Sequence, residues 1–303
     1  IQMTDAAQKQ HKKFTMSSYK INYEELRQQP EITEMLFALE RGFEKFGIDF
    51  YLVGAVARDV WMSGINKIAP RRTTGDIDFA VLINDKGTYE ALKTYLIEAE
   101  GFHPFKGNAF VLIWKDKTEV DLLPFGAIED EDGKVTTSGL GLTNISLQGF
   151  TEVYEEGLPQ LELEGKHQFK FCTLPGIVLL KMIAWDDRPE KRRDDIKDIS
   201  DILNHFFNMY DNEIWDNHND LFADENSNLE HIAARVMGRE MRKIALRNEK
   251  LFSRIEGILN ANTDDMPNSK MAAIMIEYFG NTIEDNVLLL QQLKQGFTEN
   301  NQA

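Results

Sequence analysis

The chain has 303 residues, enough for two domains of ordinary size, and its 42% hydrophobic and 28% charged residues suit a packed core rather than a disordered chain. With 50 acidic against 34 basic residues its formal charge is −16, which excludes a surface that coats nucleic acid without regard to sequence but allows a local basic patch. The single cysteine, Cys172, excludes an intramolecular disulfide and a cysteine-rich zinc site, and fits a reducing cytoplasm.

Residues 1 to 21 read as a polar N-terminal tail without the apolar stretch of a signal peptide, and no apolar run approaches the roughly 18 residues of a membrane span. From Tyr23 to Phe46, apolar residues at helical spacing predict one or two helices stopped by Gly47. Asp49 to Val53 predicts a short strand, Gly54 a turn, and Ala55 to Ser63 a helix. After a polar loop, Ile77 to Ile83 predicts a buried strand and Thr88 to Glu100 a helix ended by Gly101. Ala109 to Trp114 and Thr118 to Leu123 predict an antiparallel hairpin, Glu129 to Asp132 a solvated turn, and Gln160 to Glu164 and Gln168 to Cys172 two more strands. Beyond Pro175 the spacing is helical at Ile177 to Trp185, Asp194 to Phe207, Leu229 to Leu259 and Ser269 to Phe297, with a polar loop over Asp211 to Asn228. The expected fold class is α+β: an N-terminal domain over 22–173 on a small mixed sheet, followed by an α-helical domain over 174–303.

The most specific chemical signal is Gly75-Asp76-Ile77-Asp78-Phe79. On a strand the i, i+2 spacing points Asp76 and Asp78 to one face while Ile77 and Phe79 enter the core. Two like charges about 4 Å apart repel by roughly 4 kcal/mol at an effective dielectric near 20, so the pair calls for a cation or a proton. A hard ion with oxygen ligands such as magnesium answers that need. Asp121, in Glu119-Val120-Asp121-Leu122-Leu123, is a third acid set among apolar strand residues. If its strand lies beside the first, three carboxylates converge, enough for the two ions of in-line nucleotidyl transfer. Upstream, the strand-to-helix turn at Gly54 in Leu52-Val53-Gly54-Ala55-Val56-Ala57-Arg58-Asp59 lets backbone N–H groups approach triphosphate oxygens. Taken alone, the Asp-X-Asp pair also fits two exposed acids at a strand start, and the glycine any strand-to-helix turn.

In combination these segments resemble the DNA polymerase beta-type nucleotidyltransferase superfamily, whose core pairs a Gly-Gly or Gly-Ser turn with an Asp-X-Asp pair and a later third carboxylate. Val53 to Asp59 is similar to the Gly-Gly-X-X-Arg-Asp turn of tRNA nucleotidyltransferases and poly(A) polymerases. The two-domain plan most resembles the minimal-type nucleotidyltransferases grouped with AbiEii/AbiGii toxins. The likeness covers mainly residues 50 to 125, with a looser echo over 174 to 203. It implies Asp76, Asp78 and Asp121 as catalytic and metal ligands for two Mg2+ ions, a nucleoside triphosphate as substrate, and nucleotide contacts from Gly54, Ala55 and Arg58. Ala55 departs from the pattern by lacking a hydroxyl that could touch phosphate. For the acceptor, the resemblance implies an RNA such as a tRNA 3′ end, or a protein, with a neighbouring antitoxin as the regulatory context. An antibiotic-type small-molecule acceptor and a nucleotide-binding pseudoenzyme are the alternatives.

Lys181 interrupts the apolar run Leu174 to Met182. The resemblance directs it at the triphosphate, with the nucleotide in a cleft between the domains; an equal alternative is a lysine that snorkels or pairs with an acid. Arg71 and Arg72, just before the acid pair, are candidate phosphate contacts or simply solvated. The run Arg192 to Asp201 reads best as a solvated, salt-bridged helix face, with Asp198 as a partner that could orient Lys181. Arg235, Arg239, Arg242, Lys243, Arg247, Lys250 and Arg254, against only Glu240 and Glu249, form a basic stretch. It either meets an RNA backbone or is offset by acids elsewhere. No Walker A, Gly-X-Ser-X-Gly or zinc-protease histidine pair occurs, and the six histidines are scattered.

Overall fold

The computed structural model describes residues 17–26, 32–69, 75–115, 117–223 and 228–300. The chain divides into two compact units, Ile1–Thr173 and Leu174–Ala303. The first is a mixed α/β body on an eight-stranded sheet and the second is helical, an α+β chain. Among the described residues no helix is long and apolar enough to cross a membrane.

The strands of the first unit are β1 (Ser18–Ile21), β2 (Phe50–Val53), β3 (Asp76–Leu82), β4 (Phe102–Pro104), β5 (Val111–Trp114), β6 (Thr118–Phe125), β7 (Lys134–Thr136), β8 (Asn144–Ser146), β9 (Gln160–Leu163) and β10 (His167–Phe171). Its helices are α1 (Ile32–Phe46), α2 (Gly54–Asp59), α3 (Lys86–Ala99) and α4 (Phe150–Glu156). The sheet runs β1-β9-β10-β2-β3-β6-β5-β4, and β7 pairs with β8 apart from it. It is larger than the small sheet expected. Part of the stretch read as a tail supplies its edge strand: β1 lies parallel to β9, with Ser18 opposite Gln160 and Ile21 opposite Leu163. Strands β4, β7 and β8 were also not foreseen, since three-residue runs are too short to show a period.

Period-two burial sorts the central strands. Ile77, Phe79 and Val81 of β3 and Val120 and Leu122 of β6 are buried. On that face Phe43 of α1, Phe50, Phe79 and Phe169 stack, with centroids 4.4 Å apart for Phe43 and Phe50 and 5.8 Å for Phe50 and Phe79. Helix α1 buries Met35, Leu36, Leu39 and Phe43 along one stripe and stops at Gly47, as its sequence dictates. Helix α3 starts where the Asp85 side chain accepts a bond from Thr88 N at 2.9 Å. On the other face α4 covers one end of the sheet, where Tyr51 donates to Phe150 O at 2.9 Å and Tyr51 and Tyr154 pack on Phe125.

The second unit contains α5 (Leu174–Asp187), α6 (Arg193–Met209), α7 (Asp211–Asn217), α8 (Leu229–Ala245), α9 (Glu249–Thr263), α10 (Lys270–Phe279) and α11 (Ile283–Thr298). The predicted loop over Asp211 to Asn228 instead holds α7 and a short 3-10 turn, Asn219–Phe222. Two long periodic stretches each break in two for readable reasons. Asn248 caps α9 by accepting from Lys250 N and Leu251 N, and Gly280 at φ 70° ends α10. Helices α8 and α11 cross closely at Gly238 and Gly296, where an added Cβ would strike the backbone of the partner helix.

Candidate active site

Strands β3 and β6 run parallel, and their register sets Asp78 directly opposite Asp121 and Asp76 opposite Glu119. Residues in register on neighbouring strands, about 4.8 Å apart, share a face. One face therefore carries Asp76, Asp78, Glu119 and Asp121, while the intervening apolar residues enter the core behind them. Asp76 and Glu119 are exposed, and Asp78 and Asp121 are half-buried. Behind Asp121, the buried Tyr89 of α3 donates to Leu122 O at 2.7 Å and anchors β6. Burial, with the nearby charges of Glu90 and Asp121, pushes the Tyr89 phenol well above its usual pKa, so it stays a neutral donor.

On its other side Asp78 pairs in register with Val53, the last residue of β2. The next residue, Gly54, has φ 69°, and a Cβ there would overlap the Asp78 carboxylate, falling 2.8 Å from its Cγ. A side chain at 54 is thus excluded twice, by a left-handed backbone and by the carboxylate beside it. Helix α2 begins at Gly54 and passes into a π-helical stretch, Val60–Ile65. Trp61 in that stretch donates to Cys172 O at 2.8 Å and fixes the segment to the end of β10.

The remaining sequence candidates occupy different settings. Ala55 is buried. Arg58 is 1% exposed, and its Nε and Nη2 donate to Asp59 Oδ1 at 2.9 and 2.7 Å, so it sits within the unit as half of a buried ion pair. Arg72, like Arg71, lies outside the described residues. Lys181, on α5 in the second unit, is buried, with its ammonium 2.7 Å from Asp195 and 2.9 Å from Asp198. This is the arrangement of a lysine paired with acids. Burial acts to lower its pKa, but the two carboxylates outweigh burial and hold it above the usual lysine value.

The acids of α6 correct the expectation of a wholly solvated face. Asp195, Asp198 and Asp201 are buried, and Asp201 accepts from Tyr278 Oη at 2.6 Å, while Lys197 pairs outward with Asp194 and Glu277. The basic stretch is largely spent within its own unit. Arg235 and Arg239 engage Glu299, Arg239 also engages Asp220, Lys243 pairs with Glu240, and Arg254 pairs with Asp187.

The donor set on the aspartate face is all oxygen, suited to a hard divalent cation, and the bare Gly54 leaves backbone next to Asp78. Among the described residues, no three carboxylate, imidazole or thiol groups are gathered into a ready metal cage. Register thus brings Asp78 and Asp121 side by side while the carboxylates remain spread over the face. Glu119 joins the face beyond the residues the sequence singles out, and its i−2 relation to Asp121, which repeats that of Asp76 to Asp78, is the signal that marks it.

No known family model and no curated protein matches the sequence. Among solved structures, the chain is similar to an antigenic nucleotidyltransferase-like protein from Paracoccidioides brasiliensis, at 14% identity and TM-score 0.36 over 62% of this chain and 89% of that one. It is also similar to the antibiotic-resistance factor ANT(2'')-Ia, at 12% identity and TM-score 0.34 over 75% of this chain and 94% of that one. At such scores the likeness is one of outline alone.

Proposed function

We propose that the first unit is a magnesium-dependent nucleotidyltransferase that moves a nucleoside monophosphate from a triphosphate to an acceptor hydroxyl. The observation that carries this reading is the register of Asp78 with Asp121, flanked by a glycine turn whose missing side chain makes room for the Asp78 carboxylate against the backbone. Asp76, Asp78 and Asp121 would hold the cations by rotating their side chains over a fixed sheet. Bound magnesium would offset triphosphate charge and lower the pKa of the acceptor hydroxyl. The backbone of the Gly54 turn would face the phosphates, with no hydroxyl from Ala55 to join it. The hydroxyl oxygen attacks the α-phosphorus, the bond to the bridging oxygen breaks, and pyrophosphate leaves. The hydroxyl proton passes to an Asp121 carboxylate oxygen and then to water.

Two observations favour a small cationic molecule over RNA as acceptor. Glu119, outside the proposed ligand set, is exposed on the reacting face, where it would repel a phosphate backbone and attract an amine. Four cations of the basic stretch offered as an RNA surface, Arg235, Arg239, Lys243 and Arg254, are engaged by Glu299, Asp220, Glu240 and Asp187. Toxin activity and an antitoxin partner rest on the family resemblance alone. Lys181, already held by two acids, is given no part in the reaction. The test is incubation with each α-labelled nucleoside triphosphate and magnesium, with an aminated sugar, total RNA or the protein itself as acceptor. Label passing to the aminated sugar with the wild type and not with Asp121→Asn supports the reading. Label in RNA overturns the choice of acceptor, and equal transfer by Asp121→Asn overturns the site.

A further inference from the structure

The second unit contains a cleft of about 260 Å³ lined by Trp185 of α5, Pro189 and Arg193 at the α5–α6 turn, and Lys270, Ala273 and Ile274 of α10. Its walls combine two kinds of surface. Trp185, Pro189, Ala273 and Ile274 offer an apolar and aromatic lining, and Arg193 and Lys270 bring two cations to it. The carboxylate of α10, Glu277, is engaged by Arg193 and by Lys197. Lys270 is exposed and makes no ion pair among the described residues, and it stands at the first position of α10. Trp185 is 4% exposed, yet its Nε1–H is buried without a hydrogen-bond acceptor among the described residues. A buried donor without an acceptor is costly and rare.

We propose that this cleft binds a small organic anion: an apolar or aromatic body of about one ring against Trp185, Pro189 and Ile274, with its carboxylate or phosphate on Lys270 and Arg193. The volume limits the ligand, because drug-sized molecules fill about 300–1,000 Å³. The apolar walls disfavour a bare inorganic ion, which gains nothing from them. Lys270, which makes no ion pair among the described residues, disfavours a neutral ligand, which would leave that charge unused. The site lies wholly within the helical unit and does not depend on the aspartates of the first unit.

The probes are phenyl phosphate, benzoate, benzyl alcohol and inorganic phosphate, titrated into the full chain. The readout is the indole N–H resonance of Trp185, one of four tryptophans, assigned by its loss in Trp185→Phe. Saturable movement of that resonance by phenyl phosphate or benzoate is expected, at least about tenfold tighter than by either control. Whichever of the two anions is preferred names the head group. Lys270→Glu, a surface change, should weaken binding about tenfold or more, and Ala273→Trp should abolish it by filling the cleft. No saturable movement with either organic anion, equal response to benzyl alcohol or inorganic phosphate, or undiminished binding in Lys270→Glu would each overturn the proposal.

Discussion

The chain carries two clusters of aspartates in apolar surroundings, and they are built for opposite ends. Asp195, Asp198 and Asp201 of α6 are buried and matched by Lys181 and Tyr278. Asp76, Asp78 and Asp121 are exposed or half-buried on one sheet face, in register across parallel strands. Burial with a matched cation makes a carboxylate a structural element, costly to disturb. Carboxylates set side by side by backbone register, on a face reached by water, stand where a ligand can approach them.

That contrast fixes where substitutions should fall. Lys181→Met leaves two carboxylates buried without their cation and should cost about 3–5 kcal/mol of stability in urea unfolding. Adding Asp195→Asn and Asp198→Asn should recover part of the loss. Because the folded chain holds the Lys181 pKa above its value of 10.5, the stability it lends is fully present below that pH and is lost as pH rises through the folded value. Asp78→Asn and Asp121→Asn should behave in reverse, reducing nucleotidyl transfer about a hundredfold or more while leaving the urea midpoint almost unchanged. A stability loss like that of Lys181→Met would place the two clusters in one class.

Gly54→Ala should affect both properties. It forces a side chain into a left-handed backbone and against Asp78, costing about 1–3 kcal/mol and weakening triphosphate binding. Glu240 gives a milder, pH-dependent effect. Burial acts to raise its pKa, but Lys243 and His218 hold it down at about 2, so the stability it contributes is present above pH 4.5 and lost as pH falls toward 2. Thermal melts between pH 5 and pH 2.5 should show a smaller decline for Glu240→Gln than for the wild type. Arg235→Gln, which removes one partner of a part-exposed pair with Glu299, should change stability by less than about 1 kcal/mol. A large loss of RNA binding in that variant would reopen the basic stretch as an RNA surface.

Much of the fold could be read locally. The alternation of Ile77 and Phe79 with Asp76 and Asp78 named both the strand and the face of the acids, and Gly47 and Gly101 marked helix ends. The neighbourhood of Asp121 could be read only as a condition, because strand order is a long-range fact; the pairing of β6 with β3 settled it. Arg58 illustrates a different limit. Its place after the glycine turn suggested a phosphate contact, while its burial against Asp59 is a matter of packing that no spacing reveals. Lys181 was left open between anion binding and acid pairing because its partners lie 14 and 17 residues further along, at Asp195 and Asp198, on another helix. Short strands such as β1 and β4 form because a neighbouring edge is waiting for them, and carry almost no signal of their own.

The central claim is that the face bearing Asp78 and Asp121, beside the Gly54 turn, holds a nucleoside triphosphate through magnesium. It is tested most directly by equilibrium binding of labelled nucleoside triphosphates, with magnesium or with chelator, to the wild type and to Asp78→Asn/Asp121→Asn. Saturable binding that needs magnesium and is lost in the double variant is the predicted result. Absence of binding by the wild type to every nucleotide, or binding that survives both chelation and the double substitution, would contradict it.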